Sequence, residues 1–174
     1  MLNFDLYTPT KIYFGRGRTD EVGAAVAELG AKKPLVYYGG GSAVRTGLLT
    51  RIERSLEAAG IEYAELGGVR PNPTAQFSAY TANFARENGC DMILAVGGGS
   101  VIDSAKMAAY CVHTGYEPWD ITTKKVVPAG RIPLGVVLTI AATGSETSNS
   151  AVLTHDGLKR GFSSDLNRPD FAIM

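Results

Sequence analysis

From position 97 the chain reads Gly-Gly-Gly-Ser-Val-Ile-Asp-Ser-Ala-Lys, directly after the apolar run of residues 92–96. Five apolar residues have the length of a buried strand. Three glycines let the backbone turn tightly and leave no side chain between the main chain and a ligand. A helix beginning there presents its first N–H groups, at the positive end of its dipole, as a seat for phosphate. Ser100 stands where it can cap that helix, with Asp103 at capping-box spacing. Lys106 follows Asp103 at the i,i+3 spacing of a helical ion pair. The spacing is not G-x-G-x-x-G, because Ile102 holds the third glycine position, and no Gly-Lys-Ser/Thr follows to make a Walker loop. These residues therefore serve either a phosphate site of another class or a plain capped turn.

Two other strand ends carry the same chemistry. Gly39-Gly40-Gly41-Ser42 follows the run of residues 34–38, and Thr139-Ile140-Ala141-Ala142-Thr143-Gly144-Ser145-Glu146 follows that of residues 134–138. The elements that position these turns alternate. Residues 4–14 are extended in character, with Pro9 breaking the run. Thr19 offers an N-cap to a helix with Val22, Ala25, Val26 and Leu29 on one face and Gly30 at its end. One helix is expected to carry Val44, Leu48, Leu49, Ile52 and Leu56, and strand 61–66 follows. Residues 67–73 are a loop by composition. Residues 74–88 read as a helix with Phe77, Tyr80 or Thr81, and Phe84 turned inward, and residues 116–131 as irregular. The 139–146 turn is expected to start a helix. Asp156-Gly157 is a hairpin turn between residues 151–154 and 159–163, and residues 171–174 are a fresh apolar run. The alternation predicts an α/β fold, a mostly parallel sheet with helices on both faces and a β-hairpin near the C-terminus. In such sheets ligands bind beyond the carboxyl ends of the strands, where these three turns lie. Small residues and hydroxyls at three strand ends favour a nucleotide cleft.

Composition narrows the function classes. The 174 residues carry 17 basic and 17 acidic side chains, a balance that argues against a broad nucleic-acid or anionic-membrane surface. No apolar run approaches the ~20 residues of a membrane span, and the first residues lack the form of a signal peptide. Cys90 and Cys111 have no metal or redox spacing and read as reduced thiols of a cytoplasmic protein. His113 and His155 are far apart and read as surface or turn residues rather than metal ligands.

Phe14-Gly15, Pro71-Asn72-Pro73, residues 97–106, Trp119-Asp120 and Thr143-Gly144-Ser145-Glu146 together resemble the iron-containing (group III) alcohol dehydrogenases, most closely the butanol-dehydrogenase-like, NADPH-dependent branch. The resemblance runs across essentially the whole chain. It implies that residues 1–174 are a Rossmann-like dinucleotide-binding domain and that a C-terminal helical domain, whose Asp and three His hold Fe2+ or Zn2+, lies outside them. Gly98, Gly99 and Ser100 would hold the pyrophosphate through backbone N–H groups, and Thr139 and Thr143 would line the cofactor channel. Asn72 would sit near the adenosine ribose and Lys159 near the nicotinamide ribose. On the residues alone, Asn72 could shape a Pro-Asn-Pro turn, Thr139 and Thr143 could cap a helix, and Lys159 could be a solvated hairpin lysine. Gly39, Gly40, Gly41 and Ser42 would lie near the adenosine 2′ position. A carboxylate there would accept a ribose 2′-hydroxyl and repel a 2′-phosphate. This turn has none, and Arg45 follows it, so NADP(H) is expected over NAD(H). The implied activity of the whole protein is hydride transfer between NADP(H) and a small alcohol or aldehyde, as a homo-oligomer. A polyol-phosphate dehydrogenase or sugar-phosphate cyclase of the same superfamily, and a stand-alone nucleotide-binding module, are the alternatives. No residue of this chain is expected to be catalytic or to bind metal.

Overall fold

The computed structural model describes residue 3 and residues 7–174. Part of the expected first extended segment, residues 4–6, lies outside the described residues. Six parallel strands form one sheet, β1 (Lys11–Tyr13), β2 (Pro34–Tyr38), β3 (Ala64–Leu66), β4 (Met92–Gly97), β5 (Leu134–Leu138) and β8 (Phe171–Ile173), in the order β1-β8-β5-β4-β2-β3. The hairpin β6 (Ser150–His155) and β7 (Leu158–Ser163) stands apart as a second, antiparallel sheet. The helices are α1 (Val22–Glu28), α2 (Ser42–Arg45), α3 (Leu48–Ala58), α4 (Ala75–Glu87), α5 (Gly99–Thr114) and α6 (Pro118–Thr122). None of the described helices is long and apolar enough to cross a membrane.

β4 is central and all six of its residues are buried, as a strand covered on both faces requires. On one face Val22, Val26, Ile52 and Leu56 of α1 and α3 pack against Val36, Leu94 and Val96. On the other, Ile102, Ala105 and Ala108 of α5 and Ala85 of α4 pack against Leu35, Ile93, Ala95 and Val136. The chain leaves β2 and β4 toward opposite faces, so their carboxyl ends flank the switch point of the sheet, the place where an open α/β sheet leaves a crevice. β8 is inserted between β1 and β5. Arg131 and Asp170 fix it there: the guanidinium donates to the Asp170 carboxylate at 2.8 Å, and the same carboxylate accepts the Leu134 N–H at 2.7 Å.

Several expected details differ. Residues 18–21 form a 3₁₀ turn entered from Gly17, and Thr19 caps nothing. The helix expected over residues 44–56 is two helices, because Gly47 adopts φ 72° between α2 and α3 and leaves Val44 exposed. Of the inward pair left open on α4, Thr81 is buried and Tyr80 half exposed; Thr74 caps this helix by accepting the Phe77 N–H. α6 lies within the stretch read as irregular. The expected helix after β5 does not form in residues 139–149. Residues 145–147 form a turn, and the carbonyls of Ser148 and Ser150 accept from the Lys106 side chain instead of from a helical ladder. The hairpin is as expected, with Asp156 and Gly157 both at positive φ, the type I′ turn that fits strand twist.

β2, α4 and α5 also share buried hydroxyls. Tyr37 Oη lies 2.8 Å from Ser104 Oγ and 3.1 Å from Thr81 Oγ1, and Ser78 Oγ lies 3.0 Å from Ser104 Oγ. Burial pushes the Tyr37 phenol up to about 12, so it remains protonated at neutral pH. Tyr37→Phe leaves Ser104 and Thr81 short of a partner in a dry site. It is expected to lower stability by about 1–2 kcal/mol in urea denaturation.

Candidate functional site

Two hollows adjoin at the carboxyl ends of the central strands. The first, about 330 Å³, is bounded by the Gly39–Gly40 turn, Ser42, residues 97–100 and Thr139, with Val69 and Pro71 closing one side. The second, about 310 Å³, is bounded by Asn72, Thr143, Ser148, Lys159 and Asp103. Gly99 and Ser100 belong to both. All ten candidate residues, Gly39, Gly40, Ser42, Asn72, Gly98, Gly99, Ser100, Thr139, Thr143 and Lys159, line one hollow or the other.

At the junction stands the N-terminus of α5. Its N-cap is Gly98 in an extended conformation with no side-chain cap. The Ser100 cap expected from the sequence is not formed, because Ser100 already lies within the helix. The first N–H groups bonded back are those of Val101 and Ile102, both to Gly98 O. The N–H groups of Gly99 and Ser100 precede that ladder and face the junction, as a bare helix start dictates. Contact across this gap is tight. A Cβ built on Gly99 would come within 2.5 Å of Thr143 Oγ1, whereas one on Gly40 would meet nothing within 4 Å. Arg45 does not line the first hollow; its guanidinium folds back over the neighbouring Gly41, 2.9 Å from where a Gly41 Cβ would stand. No carboxylate lines this hollow.

In the second hollow Lys159 Nζ donates to Asn72 Oδ1 at 2.9 Å. Asn72 itself is held at φ 56°. The two residues that the resemblance assigns to different riboses are thus in contact. The hairpin makes the contact by laying Thr154 against the 67–73 loop, with Thr154 N–H donating to Pro73 O at 2.9 Å. Asp103 does not close a capping box. Its carboxylate accepts from Ser145 Oγ at 2.6 Å and from the Val152 N–H at 3.1 Å. Burial raises the Asp103 carboxyl, against the opposing pull of Ser145 and Lys106. Lys106 does not pair directly with Asp103; its ammonium reaches Ser145 Oγ at 3.0 Å, so the hydroxyl stands between the two charges. Asp103, Ser145 and Ser148 were not candidates from the sequence. The only signal for them in the sequence was the run of hydroxyl residues from Ser145 to Ser150.

His113 lies in the last turn of α5, while His155 Nδ1 lies 3.0 Å from Gln76 Nε2 and its ring is tilted by 34° against Trp119 with the centroids 4.9 Å apart. Among the described residues no three His, Cys, Asp or Glu side chains converge to hold a metal ion. Cys90 and Cys111 are buried free thiols, and burial pushes the Cys111 thiol up to about 12.

A model of the iron-containing alcohol dehydrogenases matches residues 9–174. A probable NADH-dependent butanol dehydrogenase of Bacillus subtilis is 41% identical over the whole chain, which covers 45% of that relative. An NADPH-dependent aldehyde reductase of Escherichia coli is 38% identical, again with 45% of its length covered. The crystal structure of an NADH-dependent butanol dehydrogenase from Thermotoga maritima superposes with a TM-score of 0.94 at 38% identity, over 98% of this chain and 44% of that one. The chain spans somewhat less than half the length of the relatives it matches. The family model covers nearly the whole chain and the superposition holds over 98% of it, so the chain belongs to the iron-containing alcohol dehydrogenase family.

Proposed function

We propose that residues 1–174 are the dinucleotide-binding part of an NADP-linked alcohol dehydrogenase or aldehyde reductase. The observation that carries this reading is the convergence of all ten candidate residues on two adjoining hollows at the switch point of the sheet. The residues present fit a dinucleotide. The bare N–H groups of Gly99 and Ser100 suit a diphosphate, and Gly40 leaves room beside the Arg45 guanidinium for a charged ribose. Lys159 offers an ammonium to the nicotinamide ribose; its contact with Asn72 brings that amide to the same end in this reading, rather than to the adenosine ribose that the resemblance implies for it. When bound, the nicotinamide supplies or accepts hydride. The described residues do not fit a catalytic metal, so in this reading its ligands, and the substrate pocket, belong to the remainder of the protein.

The relatives' names divide between NADH and NADPH, so the choice is argued from this chain's own turn. Gly39, Gly40 and Ser42 bring backbone and hydroxyl donors and no negative charge, and Arg45 adds a cation. Calorimetric titration of the complete protein at low salt is expected to show NADPH bound more tightly than NADH. Tighter NADH would overturn the 2′-phosphate assignment alone. Absence of binding by either would overturn the dinucleotide reading.

A further inference from the structure

Lys106 lies two turns into α5 and has no exposed surface. Its ammonium donates to Ser145 Oγ at 3.0 Å, Ser148 O at 3.0 Å, Ser148 Oγ at 3.2 Å and Ser150 O at 2.8 Å. Every acceptor belongs to the six-residue segment that forms one wall of the second hollow. Gly99 and Ser100, on the same helix as Lys106, line the same hollow. One buried cation therefore spans from the helix carrying the bare N–H groups to the segment that faces them. Burying an ammonium is costly unless each proton finds an acceptor. An apolar side chain would pack this position with less penalty, but it would leave the Ser148 carbonyl and the Ser145 hydroxyl without a donor, Ser150 O and Ser148 Oγ with only the 3.3 Å bonds they make to each other's residue, and the wall without a tether.

We propose that Lys106 is a positioning residue for the dinucleotide: without touching the ligand, its ammonium holds the 145–150 wall at the separation from α5 that admits the nicotinamide half. The proposal rests on the dinucleotide reading above and adds to it a determinant outside the hollow's own lining. It also gives binding a pH dependence. Burial draws the Lys106 ammonium down to about 8. The charged groups that face it are Asp103 on its own helix, Glu146 on the turn, and Arg131 and Arg168 from the segments flanking β5 and β8. Asp103 and Glu146 hold the proton on; the two arginines and burial drive it off. Above that point a neutral amine has one donor fewer for the same acceptors, and the wall loosens.

The test compares two probes on the complete protein. NADPH needs both hollows, whereas 2′,5′-ADP needs only the first. In wild type, the NADPH dissociation constant is expected to rise about tenfold, ~1.4 kcal/mol, as pH passes about 8, while that of 2′,5′-ADP stays level. Lys106→Met is expected to bind NADPH about tenfold more weakly at neutral pH, with the pH step abolished and 2′,5′-ADP unaffected. Ser148→Ala removes one acceptor and is expected to give a smaller loss with the step retained. Should Lys106→Met fail to fold, the wild-type step and Ser148→Ala decide. A wild type that binds both probes with parallel pH profiles overturns the proposal, as does a folded Lys106→Met that keeps the step. A variant that weakens both probes equally overturns it too, since that is a general loss of structure. A wild type that binds neither probe overturns the dinucleotide reading itself.

Discussion

Gly99→Ala is expected to weaken dinucleotide binding about a hundredfold, equivalent to ~2.7 kcal/mol. The added methyl would stand 2.5 Å from Thr143 Oγ1, 2.7 Å from its Cγ2 and 3.0 Å from its Cβ. Rotating Thr143 exchanges its hydroxyl and methyl without removing the clash, because the Cβ itself is in the way. The backbone of the 139–146 turn must therefore retreat. That turn is tied from below, with Ser145 held between Asp103 and Lys106, so the retreat meets resistance. Overpacking of this kind costs about 1–3 kcal/mol of stability, and the methyl also crowds the N–H groups on which the diphosphate would sit. Gly98→Ala is the control. Its Cβ would meet only Ile140 Cγ2, at 2.8 Å, and Ile140 is 62% exposed and can swing into solvent. Calorimetry with NADPH and thermal melts of both variants separate the binding loss from the folding loss. Wild-type affinity in a folded Gly99→Ala variant would remove the α5 N-terminus from the diphosphate site.

The contrast between these neighbouring glycines shows what the sequence does and does not disclose. The β4–α5 unit was legible because each part carries a local signal: an apolar run of strand length, three glycines, then small and apolar residues at helical spacing. The hairpin was legible from Asp156-Gly157 for the same reason. Properties set by distant partners were not. Lys106 looked like half of a helical ion pair, because spacing along α5 is visible and the carbonyls of Ser148 and Ser150 are not. Ser145 looked like a helix start, because its turn is held by Asp103 and Lys106 rather than by its own residues. The break at Gly47 was hidden because Val44, Leu48 and Leu49 keep helical spacing across it; a helix with a glycine at φ 72° cannot. The insertion of β8 between β1 and β5 is a fact of sheet order, on which the apolar run of residues 171–173 is silent. Nine of the ten candidate residues fell together because the stretches that follow the parallel strands β2, β3, β4 and β5 share one edge of the sheet whatever the strand order; Lys159, on the antiparallel hairpin, is brought there by the bond of Thr154 to Pro73.

Gly40→Asp is expected to reverse the cofactor preference. In the proposed reading this turn faces the adenosine 2′ position, and what it lacks matters as much as what it has. A Cβ at Gly40 meets nothing within 4 Å and its φ lies outside the left-handed region, so aspartate is accommodated without strain. Its carboxylate then stands where the 2′-phosphate of NADPH would lie. Two like unit charges ~5 Å apart repel by ~3 kcal/mol at an effective dielectric of ~20, and the phosphate carries more than one. NADPH affinity should therefore fall by about a hundredfold or more. The same carboxylate accepts hydrogen bonds from a free ribose 2′-hydroxyl, so NADH affinity should hold or rise. Arg45→Ala provides the complementary case. The guanidinium is exposed, its attraction is screened by salt, and its loss should weaken NADPH by about tenfold or less, with little change for NADH and less salt dependence. Competitive titration with both cofactors at low and moderate salt distinguishes these outcomes. If Gly40→Asp still prefers NADPH, the adenosine ribose lies elsewhere in the cleft, and the glycine turn after β2 serves only to let the chain pass over the edge of the sheet.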